Sequence, residues 1–204
     1  MSVASTVYER VTTVAAASTY PGRKRVLAAR SGIWIAIFAI TMSFAALTSA
    51  LMVRQGSGDW KHIELPRIIF LNTAFLLISS GTFEMARRRV TLGTQSQIRS
   101  SLPLLMVTLT LGLLFVAGQY LVWRQLAVQG LYLATTSNSS FFYVLTAMHA
   151  LHLLGGMAAL TYLISRIAAS HVSFRWTLFE GTTIYWHFMG GLWLYLLVVI
   201  AARL

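Results

Sequence analysis

Five runs of this chain, 33–53, 67–86, 102–122, 140–164 and 181–202, are apolar along most of their length. Each is close to the about 20 residues that an α-helix needs to cross a hydrocarbon core of about 30 Å. Lipid cannot hydrogen-bond a bare backbone, so such runs must close their own i to i−4 bonds, and the predicted fold is all-α with five transmembrane helices. Composition agrees: 57% of the residues are hydrophobic and the mean hydropathy is +0.70, outside the range of a soluble globular domain. The connections between runs hold roughly 13 to 17 residues, too few for an independent domain. The organisation read from this is a polar amino-terminal arm, 1–30, followed by a five-helix membrane domain, 31–204. The arm has no apolar stretch before "PGRKR" and resembles neither a cleaved signal peptide nor a sixth span.

The net charge of +11 would in a soluble chain raise the question of nucleic acid. Here the cations sit at the ends of apolar runs, where orientation and anchoring place them, and no nucleic-acid partner is expected. Arg10, Arg23, Lys24, Arg25, Arg30, Arg87, Arg88, Arg89, Arg99, Arg166 and Arg175 fall on one side. Arg54, Lys61, Arg67, Arg124 and Arg203 fall on the other. The positive-inside rule then predicts a cytoplasmic amino terminus and an outside carboxyl terminus. Trp34, Trp60, Trp123, Trp176 and Trp186 lie near predicted helix ends, as in an interfacial aromatic belt, while Trp193 lies deeper. With no cysteine, the chain has no disulfide, no thiolate nucleophile and no iron–sulfur ligand set.

Polar side chains within a span are costly in lipid and mark helix contacts or function. In the second span Asn72 and Ser79 share one line of the helix, with Thr73, Ser80 and Glu84 about 100° around. This stripe suits hydrogen bonds between helices. Glu84 precedes Arg87, Arg88 and Arg89 and reads as an interfacial carboxylate paired with one of them.

The fourth span, "TAMHALHLLGG", places His149 and His152 about 60° apart, with Gly155 and Gly156 continuing that side. In the fifth, Glu180, Thr183, His187 and Gly191 share a face. A close contact of these two spans is expected to bring three histidines and one carboxylate into a shared interior. That inventory permits a metal or a haem. Depth argues against both: His149 and His152 lie toward the outer half and His187 toward the inner end, an offset of very roughly 15 Å. Helix packing is the preferred reading. A transporter is disfavoured because the spans show neither internal symmetry nor a mid-span proline.

Five segments together resemble subunit III of the haem-copper cytochrome c oxidases. They are "GIWIAIFAI", "ELPRIIFLNTAFLLISSGTFEMA", "GLLFVAGQYLVWRQL", "SSFFYVLTAMHALHLLGG" and "YWHFMGGLWLYLL", in family order from about Ser31 to the end. The likeness is to the short bacterial form with five spans. It implies a subunit with no haem, copper or catalytic centre of its own, packed on subunit I beside subunit II, which carry those groups. It further implies bound phospholipid, support of proton uptake in the neighbour and a bacterial cytoplasmic membrane, and leaves membership of a larger respiratory supercomplex open. Two positions depart from the family pattern: Ile40 and Gly190 stand where acidic residues are usual. They bring in, as alternatives, a relative serving a quinol oxidase or a nitric oxide reductase; a free-standing b-type cytochrome is the more distant one. The candidate packing and lipid-binding residues are Asn72, His149, His152, Glu180, Trp186, His187, Arg87, Arg88, Arg89 and Arg175.

Overall fold

The computed structural model describes residues 21–55, 67–91, 95–130, 137–169 and 176–203. These form six helices: α1 (Pro21–Arg54), α2 (Ile68–Thr91), the short α3 (Gln95–Ser100), α4 (Leu102–Val128), α5 (Ser137–Ala168) and α6 (Trp176–Arg203). The five long ones are each apolar and long enough to span a membrane, and the described residues contain no strand.

Every long helix outruns its apolar stretch at one end or both, because helix propensity does not stop where hydrophobicity does. Pro21 opens α1, where its fixed φ and missing N–H cost nothing, and the following Arg, Lys, Leu and Ala residues all favour helix. Ten residues of the expected arm are thereby helical, while 1–20 lie outside the described residues. In α2 the basic residues Arg88 and Arg89 occupy the last turn, where cations complement the helix dipole. Pro103 near the start of α4 cannot bond the Arg99 carbonyl, and this separates α3 from α4. Gly130, at φ 79°, ends α4 in the left-handed conformation that glycine adopts without strain.

Helices α2, α4, α5 and α6 form a ring in which each touches the next, and α1 lies outside it against α5 and α6. Contacts fix the directions. Thr73 meets Trp193 and Ser79 meets Trp186, so α2 and α6 are antiparallel. Thr48 meets Tyr195 and Arg30 meets Glu180, so α1 and α6 are parallel. Arg30, Arg87, Arg88, Arg89, Arg99 and Arg166 consequently gather at one end of the bundle, called here the arginine-rich end.

The most extensive contact joins α2 and α4. Small residues explain it: the Asn72 side chain lies directly on Gly118, and the Thr82 and Thr108 hydroxyls meet at 2.8 Å. The outward faces carry Phe38, Leu151 and Val198, more than 60% exposed. Such a surface is intolerable in water and ordinary in lipid.

Candidate functional site

Inside the ring, large aromatics bridge helices that do not touch through their backbones. Trp193 of α6 reaches across to Phe115 of α4, ring centroids 4.9 Å apart, and both meet the His149 ring of α5 at 5.1 and 5.9 Å. One layer further toward the arginine-rich end, Trp186 fills the space over Gly112, where an added Cβ would come within 2.9 Å of the indole. Phe83 stands edge-on to both Trp186 and Phe179 below it.

A single hydrogen-bonding device recurs through this core. The indole N–H of Trp193 donates to Thr73 Oγ1 at 3.0 Å, that of Trp186 to Ser79 Oγ at 3.2 Å, and that of Trp123 to Thr146 Oγ1 at 3.0 Å. Each hydroxyl donates its own proton to a carbonyl one turn back, of Ile69, Leu76 and Phe142 respectively. The hydroxyl proton is thus satisfied within its helix and the lone pairs are left to accept from the neighbour. Tyr195 repeats the device against Thr48, tying α1 to α6 at 3.0 Å. The Asn72–Ser79 stripe therefore does join helices, through Ser79 and the adjacent Thr73.

Trp186 is the clearest departure from the sequence reading. It is 1% exposed and belongs to the core, not to an interfacial belt. A span that starts at Gly181 puts Trp186 near an end, whereas α6 begins at Trp176, five residues before Gly181 and ten before Trp186. Trp34 and Trp176 do lie at the surface, and Trp60 lies outside the described residues.

The histidines do not converge. His149 is wholly buried toward the ring interior. His152 donates from Nδ1 to the Met148 carbonyl at 2.7 Å and turns its ring to Phe44 of α1. His187 faces α2, its Nε2 3.8 Å from Glu84 Oε2. The shared interior expected from helical faces is thus replaced by three separate neighbours. His187 lies six residues before Trp193, about 9 Å along the helix from the His149 level. That offset has the expected sense and is smaller than the expected size. Among the described residues no three His, Cys, Asp or Glu side chains lie together as a metal site. Gly155 and Gly156 make room for the Tyr185 ring, which passes within 3.0 Å of where a Gly156 Cβ would stand. Its hydroxyl donates to the His152 carbonyl at 2.9 Å.

Charge is concentrated at the arginine-rich end. Glu84 accepts from Arg87 Nε at 2.6 Å and Nη2 at 2.7 Å, a bidentate pair, and from Arg88 Nε at 2.9 Å. The i+3 and i+4 spacings place both guanidinium groups over one carboxylate. Glu180 pairs with Arg30 of α1 at 3.5 Å, above the Ile33 side chain that sits on Gly181. Arg88 and Arg89 are exposed. Arg175 lies outside the described residues. Ile40 is buried, and Gly190 backs onto Ser80 of α2, whose Oγ would stand 3.2 Å from an added Cβ. The short side chain at 190 therefore lets α2 and α6 close on each other.

Sequence reasoning passed over Gln119, which is 2% exposed in α4. Its signal was available: an amide within "LGLLFVAGQYLVW" is as costly in lipid as Asn72.

These features define a multi-pass helical membrane protein whose interior polar groups largely join its own helices. The profile of the cytochrome c oxidase subunit III family matches residues 14–202. A probable cytochrome c oxidase subunit 3 from Nocardia farcinica is 30% identical over 169 residues, covering 78% of this chain and 80% of that protein. The Coturnix japonica cytochrome c oxidase subunit 3 is 32% identical over 145 residues, 68% of this chain and 53% of the bird protein. A probable subunit 3 from Mycobacterium tuberculosis is 33% identical over 99 residues, 46% of this chain and 47% of that one. The chain thus spans about half the length of several relatives and most of the first. It belongs to the cytochrome c oxidase subunit III family.

Proposed function

We propose that this chain is the non-catalytic structural and lipid-binding subunit of an aerobic respiratory terminal oxidase. It packs on the catalytic subunit I, with a copper-bearing subunit II in the same complex, and supports oxygen reduction and proton pumping there. Haem and copper belong to those partners. The observation that carries the reading is the divergence of His149, His152 and His187 toward different neighbours, which suits a scaffold and not a redox centre. Family membership across 14–202 supplies the assembly.

The excess of arginine at one end supports an amino terminus on the cytoplasmic side of a bacterial membrane. In this reading Arg88 and Arg89, exposed at that end beside Arg87, meet phospholipid phosphates. Cytochrome c is the donor in this reading. The test is recovery of the tagged chain from native membranes in mild detergent. Co-purification with a haem-copper subunit I and a copper-bearing subunit II is the expected result. Recovery with a quinol oxidase or nitric oxide reductase catalytic subunit would reassign the partner, and recovery alone, coloured by haem, would overturn the reading.

A further inference from the structure

Three core side chains stand apart from the hydrogen-bonded device described above. Asn72 of α2, Gln119 of α4 and His149 of α5 are at most 2% exposed, and all six of their side-chain polar atoms lack a partner within the protein. Elsewhere in the core the buried hydroxyls and indoles of Thr73, Ser79, Thr146, Trp186 and Trp193 are paired.

The three lie close in depth. Asn72 rests on Gly118, the residue before Gln119. Thr73, the residue after Asn72, binds Trp193, whose ring is 5.1 Å from His149. Phe115, one turn before Gln119, also meets His149. Three helices of the ring thus each carry one unpartnered polar group at about the same depth.

A buried amide or imidazole without a partner is strongly destabilising, the more so where no bulk water can reach it. Direct bonding would require these side chains to swing. Asn72 is held against the Gly118 backbone and His149 packs against both Phe115 and Trp193. The chemistry of the set also limits the ligand. Two amides and an imidazole offer donors and acceptors together and no carboxylate or guanidinium, which suits a small neutral molecule able to donate and accept. Buried water meets that description and in proteins is found bridging such groups.

We propose that Asn72, Gln119 and His149 enclose a bound-water site that joins α2, α4 and α5 inside the bundle. The site concerns the interior of this chain and holds whichever catalytic partner it serves. The first test is a cryo-electron microscopy map of the purified native complex at a resolution that resolves water, about 2 Å. Expected is a peak within about 2.7–3.2 Å of polar atoms from at least two of the three side chains. Direct bonds among the three, with no peak, would overturn the proposal. The second test is thermal unfolding of Asn72→Leu, Gln119→Leu and the double variant in the assembled complex. A shared site predicts that each single change lowers Tm and that the double change costs less than the two losses combined, because the second removes a group already orphaned. Additive losses, or unaltered single variants, would contradict it.

Discussion

His149 and His187 are the same residue type in neighbouring helices and live in opposite surroundings. His149 is fully buried in the ring interior, packed against Trp193 and Phe115. His187 is 38% exposed at its side chain, beside a carboxylate already held by two arginines. The interior is built from neutral donors and acceptors, and its indole-to-hydroxyl bonds bridge helices with little electrostatic cost. The arginine-rich end is built from ion pairs in reach of headgroups and water, where such pairs contribute little to stability. The core therefore sets the fold, and the end is left for the proposed contacts with lipid.

This contrast predicts a graded series of effects. The largest belongs to the core aromatics: Trp193→Ala leaves a cavity against Phe115 and His149 and orphans nothing polar except Thr73, which keeps its own carbonyl bond. A loss of about 3–5 kcal/mol is expected, read as a large fall in the unfolding temperature of the complex in detergent. Trp193→Phe retains most of the ring and removes the bond to Thr73, for which about 0.6 kcal/mol is the typical interhelical value in a membrane. Equal effects of the two changes would show that packing is not what the indole supplies.

Tyr195→Phe removes the hydroxyl that ties α6 to Thr48 of α1, again at about 0.6 kcal/mol. Because α1 lies outside the ring, the effect should appear as easier proteolysis of α1 and not as global unfolding. Glu84→Gln should change stability by at most about 1 kcal/mol. It releases Arg87 and Arg88, so native mass spectrometry should find more anionic phospholipid retained, and unchanged retention would sever the end from lipid binding. Smallest of all is Gly181→Ala. The added methyl overlaps the Ile33 side chain, which must turn away, and alanine's helix preference over glycine, about 1 kcal/mol, offsets much of that cost, so a small net change is expected by the same unfolding assay.

Much of this architecture is legible in the sequence because lipid imposes a simple rule on backbone hydrogen bonds. Five apolar runs of spanning length announce the five long helices, and alternate loops rich in arginine announce their alternating directions. The pairing of Glu84 with Arg87 and Arg88 follows from i+3 and i+4 spacing within one helix. What spacing cannot supply is the identity of the neighbour across a helix face. His149, His152 and His187 therefore read as convergent on helical faces, whereas α5 turns one to the ring, one to α1, and α6 turns the third to α2. Trp186 was misplaced for a different reason, since hydropathy marks where lipid begins and not where a helix begins. Gln119 was overlooked among apolar neighbours although its amide is buried beside the Asn72 level.

The polar core supports helices, and in the proposed reading it holds no redox group. That reading is tested most directly by the reduced-minus-oxidised difference spectrum of the assembled complex carrying His149→Ala, normalised to the catalytic subunit. Haem bands unchanged in position and amplitude are expected, together with weaker retention of this chain and faster loss of activity during turnover. Disappearance of a haem band in step with the substitution would make His149 a ligand and overturn the scaffold reading.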